Sequence, residues 1–127
     1  MAASENIGRK RLVVGAHYGV KDWIIQRVTA CVLVIYTLVL GIGTLIMPEF
    51  TYENWVHLFN FEVLHFPLGK VLAMLTFLSL FYHVWIGMRD IWMDYVRHAG
   101  LRLTLQAFTV LWLVGSAVYA AQILWRI

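Results

Sequence analysis

Charged positions in this chain are bunched, and long apolar stretches separate them. No Asp, Glu, Lys or Arg occurs in 28–48, 71–88 or 103–125. An α-helix needs roughly 20 apolar residues to cross the hydrocarbon core of a bilayer, with about 17 to 25 as the working range. All three stretches reach that length, the middle one narrowly. Lys70 and Arg89 at its ends can extend it, because long basic side chains lay their aliphatic stems along apolar surface and keep the charge in water. The pattern predicts an all-α membrane protein with three transmembrane helices, at about 24–47, 68–92 and 102–125. An N-terminal arm (1–23), a first link (48–67) and a second link (93–101) complete one domain without repeats or low-complexity segments.

A different period appears in the first link. In "TYENWVHLF", Tyr52, Trp55, Val56 and Phe59 recur at i, i+3, i+4 and i+7, and Thr51 stands where an N-cap belongs. This predicts a short amphipathic helix lying at the membrane interface, where Trp and Tyr prefer to sit. Pro67 then opens the second span.

Composition agrees with the pattern: of 127 residues, 61% are hydrophobic and only 13% charged, and the mean hydropathy is +0.74. A soluble domain of this size would need many more charges to cover its surface. The first apolar run is longer than a signal-peptide core and ends in "GIGTLIMPEF" without a convincing cleavage site. "MAASENIGRKR" also lacks the character of a long Arg/Ser-rich transit peptide, which favours a bacterial membrane over an organelle. A single cysteine, Cys31, excludes an internal disulfide and reads as a small packing residue.

The net charge of +3 is a topology signal and gives no reason to expect a nucleic-acid partner. Arg9, Lys10, Arg11, Lys21 and Arg27 precede or begin the first span, and Arg89, Arg97 and Arg102 flank the second link. The first link offers only Lys70, against Glu49, Glu53 and Glu62, and the C-terminus only Arg126. Positive residues stay on the cytoplasmic side. The expected topology therefore has a cytoplasmic N-terminus and second link, with the first link and C-terminus on the outer, periplasmic face.

Candidate chemistry begins with "YHVWIGMRDIWMDY", residues 82–95. His83 is the one histidine within the charge-free stretches; His17, His57, His65 and His98 belong to wetter segments and read as solvated. Ionisable groups at such depth usually face the bundle interior and carry function. Two readings are open: a neutral ring bonded to a neighbouring helix, or a ligand of haem iron, since neutral imidazole binds iron well and haem is an apolar disc suited to a gap between membrane helices. Gly87, one turn on, would leave room for a flat macrocycle. A single histidine fills one axial position, so a six-coordinate iron would need a second ligand from another chain. Small-xxx-small pairs (Thr37 with Gly41, Ser116 with Ala120, Ala117 with Ala121) suit close helix packing without naming a partner.

Arg27, at the edge of the first span, is a positive-inside anchor that could also pair a haem propionate, because guanidinium binds carboxylates bidentately. If the second helix continues past Arg89, Asp90 and Asp94 fall within about 20° of the face carrying His83, and Tyr95 lies roughly 18 Å along the axis. Tyr95 suits an interfacial anchor, and equally a phenol that donates to the carbonyl of a lipid-soluble quinone, with Asp94 beside it to orient a base or relay protons.

"HVWIGMRDIWMDYVRHAGLRLTLQ", with "DWIIQRVTA" before it and "TYENW" between, resembles the hydrophobic membrane-anchor subunits of bacterial succinate dehydrogenases. The likeness covers nearly the whole chain, and its specific core is H-x-W-x-G-M followed by D-Y and R-L. The resemblance implies that His83 is the axial ligand of haem b, that Tyr95 contacts ubiquinone with Asp94 beside it, and that Arg27 lies at the haem edge. It assigns no role to Asp90 or to the basic arm "GRKRLVVGAHYGVKD". It further implies a complex in the bacterial inner membrane. A flavoprotein there oxidises succinate, an iron–sulfur subunit passes electrons on, and a cytochrome b subunit supplies the second haem ligand. This chain has no nucleotide-binding glycine motif and no cysteine cluster, so it is not expected to catalyse alone. The anchor of a fumarate-reducing quinol oxidoreductase and a haem-free structural anchor remain the alternatives.

Overall fold

The computed structural model describes the backbone from Ala16 to Ile127 and the side chains from Gly19 onward. Arg9, Lys10, Arg11 and the rest of the arm up to residue 15, and the side chain of His17, lie outside the described residues. Four helices follow: α1 (Ala16–Leu45), α2 (Tyr52–His57), α3 (Leu68–Tyr95) and α4 (Ala99–Arg126). α1, α3 and α4 are each long and apolar enough to cross a membrane, as the charge-free stretches predict. Helices are the form such stretches must take, because hydrocarbon offers a peptide group no outside partner and a helix satisfies its own.

α3 is the middle element, packed on α1 along one side and on α4 along the other. Few of the described residues are buried. Among the described residues Ala73 and Ile86 of α3 and Leu124 of α4 are the buried apolar side chains. Large apolar residues elsewhere on the three helices, from Trp23 and Ile35 to Leu111 and Trp125, are exposed. Such surfaces suit lipid or other membrane helices.

The helix ends differ from the sequence expectation in instructive ways. α1 is already helical at Ala16, ahead of the expected 24, because Lys21 and Asp22 mark where the chain leaves the apolar layer and a helix need not stop there. It closes at Leu45, short of the expected 47, and residues just before a proline disfavour helical backbone; Pro48 follows. α3 runs on to Tyr95 and α4 starts at Ala99, which contracts the second link from 93–101 to 96–98. An unexpected cap makes so short a link possible: His98, read as solvated, accepts the Leu101 N–H at its Nδ1 (3.4 Å).

α2 matches its pattern, with the Thr51 hydroxyl accepting the Asn54 N–H at 3.3 Å. Trp55 and Phe59 stack edge to face with ring centroids 5.3 Å apart. Beyond α2, Val63 and Phe66 exchange both backbone hydrogen bonds, at 3.0 and 2.9 Å. The tight turn between them holds Leu64 and His65 at φ of 52° and 66°, a region that side chains rarely adopt. The link then crosses directly over the start of α3. Gly69 donates its N–H to the Phe61 carbonyl at 3.0 Å, and a Cβ on Gly69 would lie 2.5 Å from the Phe59 carbonyl oxygen. Only glycine permits that approach, so Gly69 fixes how the link and α2 lie against α3.

Gly69→Ala should therefore lower stability by about 1–3 kcal/mol, the usual cost of forcing extra atoms into a packed contact. The check is the thermal midpoint of the purified protein at a fixed scan rate, where an unchanged value would contradict this contact.

Candidate functional site

Among the described residues two polar side chains are buried, and both are threonines: Thr29 at 8% exposure and Thr109 at 7%. Each belongs to an outer helix and meets a nitrogen-bearing ring of α3. On the α4 side, the Thr109 hydroxyl donates to the Leu105 carbonyl at 2.8 Å and accepts the Trp92 indole N–H at 3.0 Å. On the α1 side, the Thr29 hydroxyl lies 2.7 Å from the Ile25 carbonyl and 3.1 Å from His83 Nδ1. A threonine bonded back to the carbonyl four residues earlier is common in helices; here its second valence ties one helix to the next.

The contact with Thr29 engages one nitrogen of His83, and Nε2 makes no hydrogen bond among the described residues. Both sequence readings of this histidine therefore find support in one ring: Nδ1 is bonded to a neighbouring helix, and the other nitrogen is left over. Beside Gly87, a Cβ would meet Gln26 Nε2 at 3.5 Å, an ordinary van der Waals contact, so the Gln26 amide of α1 is its neighbour in this structure.

One turn further, charges close the α1–α3 seam. The Arg89 Nη2 donates to the Asp22 carboxylate across the seam and lies 3.5 Å from Asp90 Oδ1 on its own helix. Gln26 Oε1 and Arg89 Nε are buried here without a partner in the described chain. The Arg27 guanidinium sits over the Trp23 ring, 5.5 Å from the centroid, and forms no ion pair among the described residues. A hollow of about 450 Å³ brings Arg27 together with Asp22, Gln26 and Asp90. A larger hollow of about 660 Å³ lies at the opposite end of the seam against Leu58 and Phe61, and contains none of these groups.

α3 continues unbroken past Arg89, the condition under which Asp90 and Asp94 keep the register of His83. Tyr95 is its last residue, 81% exposed, and Asp94 beside it is also exposed. Of the four expected site residues, His83 and Arg27 thus belong to the α1–α3 seam and its end. Asp94 and Tyr95 stand at the tip of α3, on the surface of this chain and outside the hollow around Arg27. Sequence reasoning passed over Thr29, Asp22 and Gln26. Asp22 was the traceable one, since opposite charges flanking consecutive antiparallel spans come to similar depth. A threonine inside a span carries no comparable signal.

The donor set narrows what can bind. Among the described residues no group of three or more His, Cys, Asp or Glu side chains is assembled for a metal ion. Among the described residues, the chain presents an imidazole nitrogen without a hydrogen bond on an apolar seam, a guanidinium without an ion pair, and an exposed phenol at the tip of α3. An imidazole of this kind could ligate a metal held in a macrocycle, a guanidinium could pair an acidic group, and a phenol could donate to a carbonyl.

Residues 1–121 match the family described as succinate dehydrogenase/fumarate reductase transmembrane subunit. Among characterised proteins, the succinate dehydrogenase hydrophobic membrane anchor subunit of Coxiella burnetii is 34% identical over 107 residues, covering 84% of this chain and 89% of that one.

The Asp22–Arg89 pair should couple α1 to α3. Asp22→Asn and Arg89→Gln should each lower the thermal midpoint of the purified protein. Their combination should cost less than the two together, with a coupling of about 1 kcal/mol for a partly exposed pair. Strict additivity would mean that the pair holds nothing together.

Proposed function

The chain belongs to the succinate dehydrogenase/fumarate reductase transmembrane subunit family, and from that premise we propose a specific part for it. It is the membrane anchor of a bacterial succinate dehydrogenase, it holds haem b jointly with a cytochrome b subunit, and it forms part of a ubiquinone site. The observation that carries this reading is His83. It is the one histidine of the charge-free stretches, tethered through Nδ1 to Thr29 and left with Nε2 unbonded.

Haem b, when bound, supplies a one-electron carrier inside the membrane. The chain's own residues do the holding. His83 would hold haem iron through Nε2, and a cytochrome b subunit would supply a second ligand, since no second histidine occurs in these stretches. Arg27, without an ion pair among the described residues, would bind a propionate at the polar edge; the two carboxylates lining that hollow, Asp22 and Asp90, are both faced by Arg89. At the tip of α3 the Tyr95 hydroxyl donates to a quinone carbonyl, and Asp94 passes protons between that site and water. Both are exposed in this chain, so the iron–sulfur and cytochrome b subunits supply the rest of the pocket, while the flavoprotein oxidises succinate. The distribution of Lys and Arg puts the N-terminus and the tip of α3 on the cytoplasmic side of the inner membrane, with the C-terminus periplasmic.

In the assembled complex, His83→Ala should abolish or alter the low-spin b-type absorption spectrum, and an unchanged spectrum and midpoint potential would remove His83 from the site. Tyr95→Phe separates an interfacial anchor, which needs only the ring, from a hydrogen-bond donor. Succinate oxidation with a soluble artificial acceptor should persist. Ubiquinone reduction should fall by roughly tenfold, since a donor withheld from a developing negative charge costs about 1–3 kcal/mol. Ubiquinone reduction at the normal rate and affinity would leave Tyr95 as an anchor only.

A further inference from the structure

The hydroxyl of Thr29 has one proton, and the geometry around it decides where that proton goes. Its nearest acceptor is the Ile25 carbonyl at 2.7 Å, with the Gln26 carbonyl at 3.2 Å as a second, weaker partner. Both are carbonyls and can only accept. The third neighbour is His83 Nδ1 at 3.1 Å, which donates in one tautomer and accepts in the other.

Thr109 offers a parallel in which the direction is not in doubt, because its α3 partner can only donate. An indole N–H can only donate, so Thr109 must accept from Trp92 while giving its own proton to Leu105. The two threonines share the same arrangement: a bond of 2.7 or 2.8 Å to the carbonyl four residues earlier, and a ring nitrogen of α3 at 3.1 or 3.0 Å. Both are nearly buried, so water does not compete for the hydroxyl. With the Thr29 proton committed to Ile25, His83 Nδ1 must be the donor. A neutral imidazole protonated at Nδ1 carries its lone pair on Nε2.

We propose that Thr29 is a positioning residue for a metal at His83: it accepts the Nδ1 proton, fixes the tautomer that exposes the Nε2 lone pair, and holds the ring in the plane set by the α1–α3 seam. This rests on the reading of His83 as a haem ligand. The chain of bonds from ring to hydroxyl to carbonyl also acts on the metal. The Ile25 carbonyl polarises the Thr29 hydroxyl and makes its oxygen a better acceptor, and in a water-poor seam such linked bonds reinforce one another. An imidazole whose N–H is pulled on becomes a stronger electron donor at its other nitrogen. Thr29 therefore favours ferric over ferrous iron and makes the midpoint potential more negative than His83 alone would set.

The test uses the whole complex with three substitutions at this position. Thr29→Val keeps the shape and removes the acceptor, Thr29→Ala removes it with a smaller side chain, and Thr29→Ser retains the hydroxyl. Val and Ala should each move the haem midpoint potential to more positive values, and haem should be lost about tenfold faster to an apohaem scavenger, in the range expected when the hydrogen-bond partner of a metal-bound histidine is deleted. Ser should restore the potential of the unmodified complex. A potential unchanged in Val and Ala, while His83→Ala abolishes the b-type spectrum, would overturn the role of Thr29 and leave the ligand intact. Loss of the ligand reading itself would instead appear as an unchanged spectrum in His83→Ala. A shift that Ser fails to correct would also overturn the proposal, because the hydroxyl would then not be its cause.

Discussion

A histidine ring carried into the apolar layer has two nitrogens to satisfy and no water to satisfy them. The α1–α3 seam is built around that constraint. Thr29 engages Nδ1, and doing so requires α1 to run alongside α3 with Thr29 at the level of His83. The Asp22–Arg89 pair closes the same seam one to two turns further along, where the layer gives way to charge. At the other end Gly69 lets the first link cross the start of α3 at backbone contact, which determines how α2 lies and where the connection from α1 returns. On the far side of α3, Thr109 and Trp92 repeat the device with a ring that has only one polar atom, and nothing is left over. The seams differ: Thr109 and Trp92 satisfy each other on the α3–α4 side, whereas on the α1–α3 side His83 Nε2, Gln26 Oε1 and Arg89 Nε have no hydrogen-bond partner among the described residues.

That imbalance extends to the surface. A chain with so few fully buried side chains and so many exposed apolar ones is well suited to being part of a larger membrane assembly. Arg27 has an aromatic platform and no carboxylate, Tyr95 a hydroxyl and no acceptor. Each is a half of an interaction. In the proposed complex the missing halves come from haem, quinone and the neighbouring subunits, and the family to which the chain belongs is one of subunits.

The sequence disclosed the spans, because absence of charge over twenty-odd residues leaves the backbone little choice. It disclosed α2 as well, through a period of 3.6 and a cap at Thr51. His83 stood out for a physical reason, being ionisable at depth. What stayed hidden were pairings between distant positions. Thr29 and His83 are 54 residues apart, and nothing local marks a threonine as the partner of a ring. Gly87 is a similar case: a missing side chain announces room without saying which neighbour lies beside it, and in this structure Gln26 does. The early start of α1 escaped notice because hydropathy marks where the apolar layer ends, while hydrogen bonding carries a helix onward into water. The cap at His98 was missed because histidine is not among the usual N-cap residues.

The central proposal is that His83 would ligate, through Nε2, the iron of a haem shared between this chain and a partner subunit. Near-infrared magnetic circular dichroism reads axial-ligand identity in low-spin haem directly, so the most direct measurement compares the complex with its His83→Met counterpart. If His83 is a ligand, the charge-transfer band characteristic of paired imidazoles should leave its position, towards that of imidazole with thioether or of a high-spin iron. A band that stays unmoved in the His83→Met complex would mean that both ligands come from elsewhere.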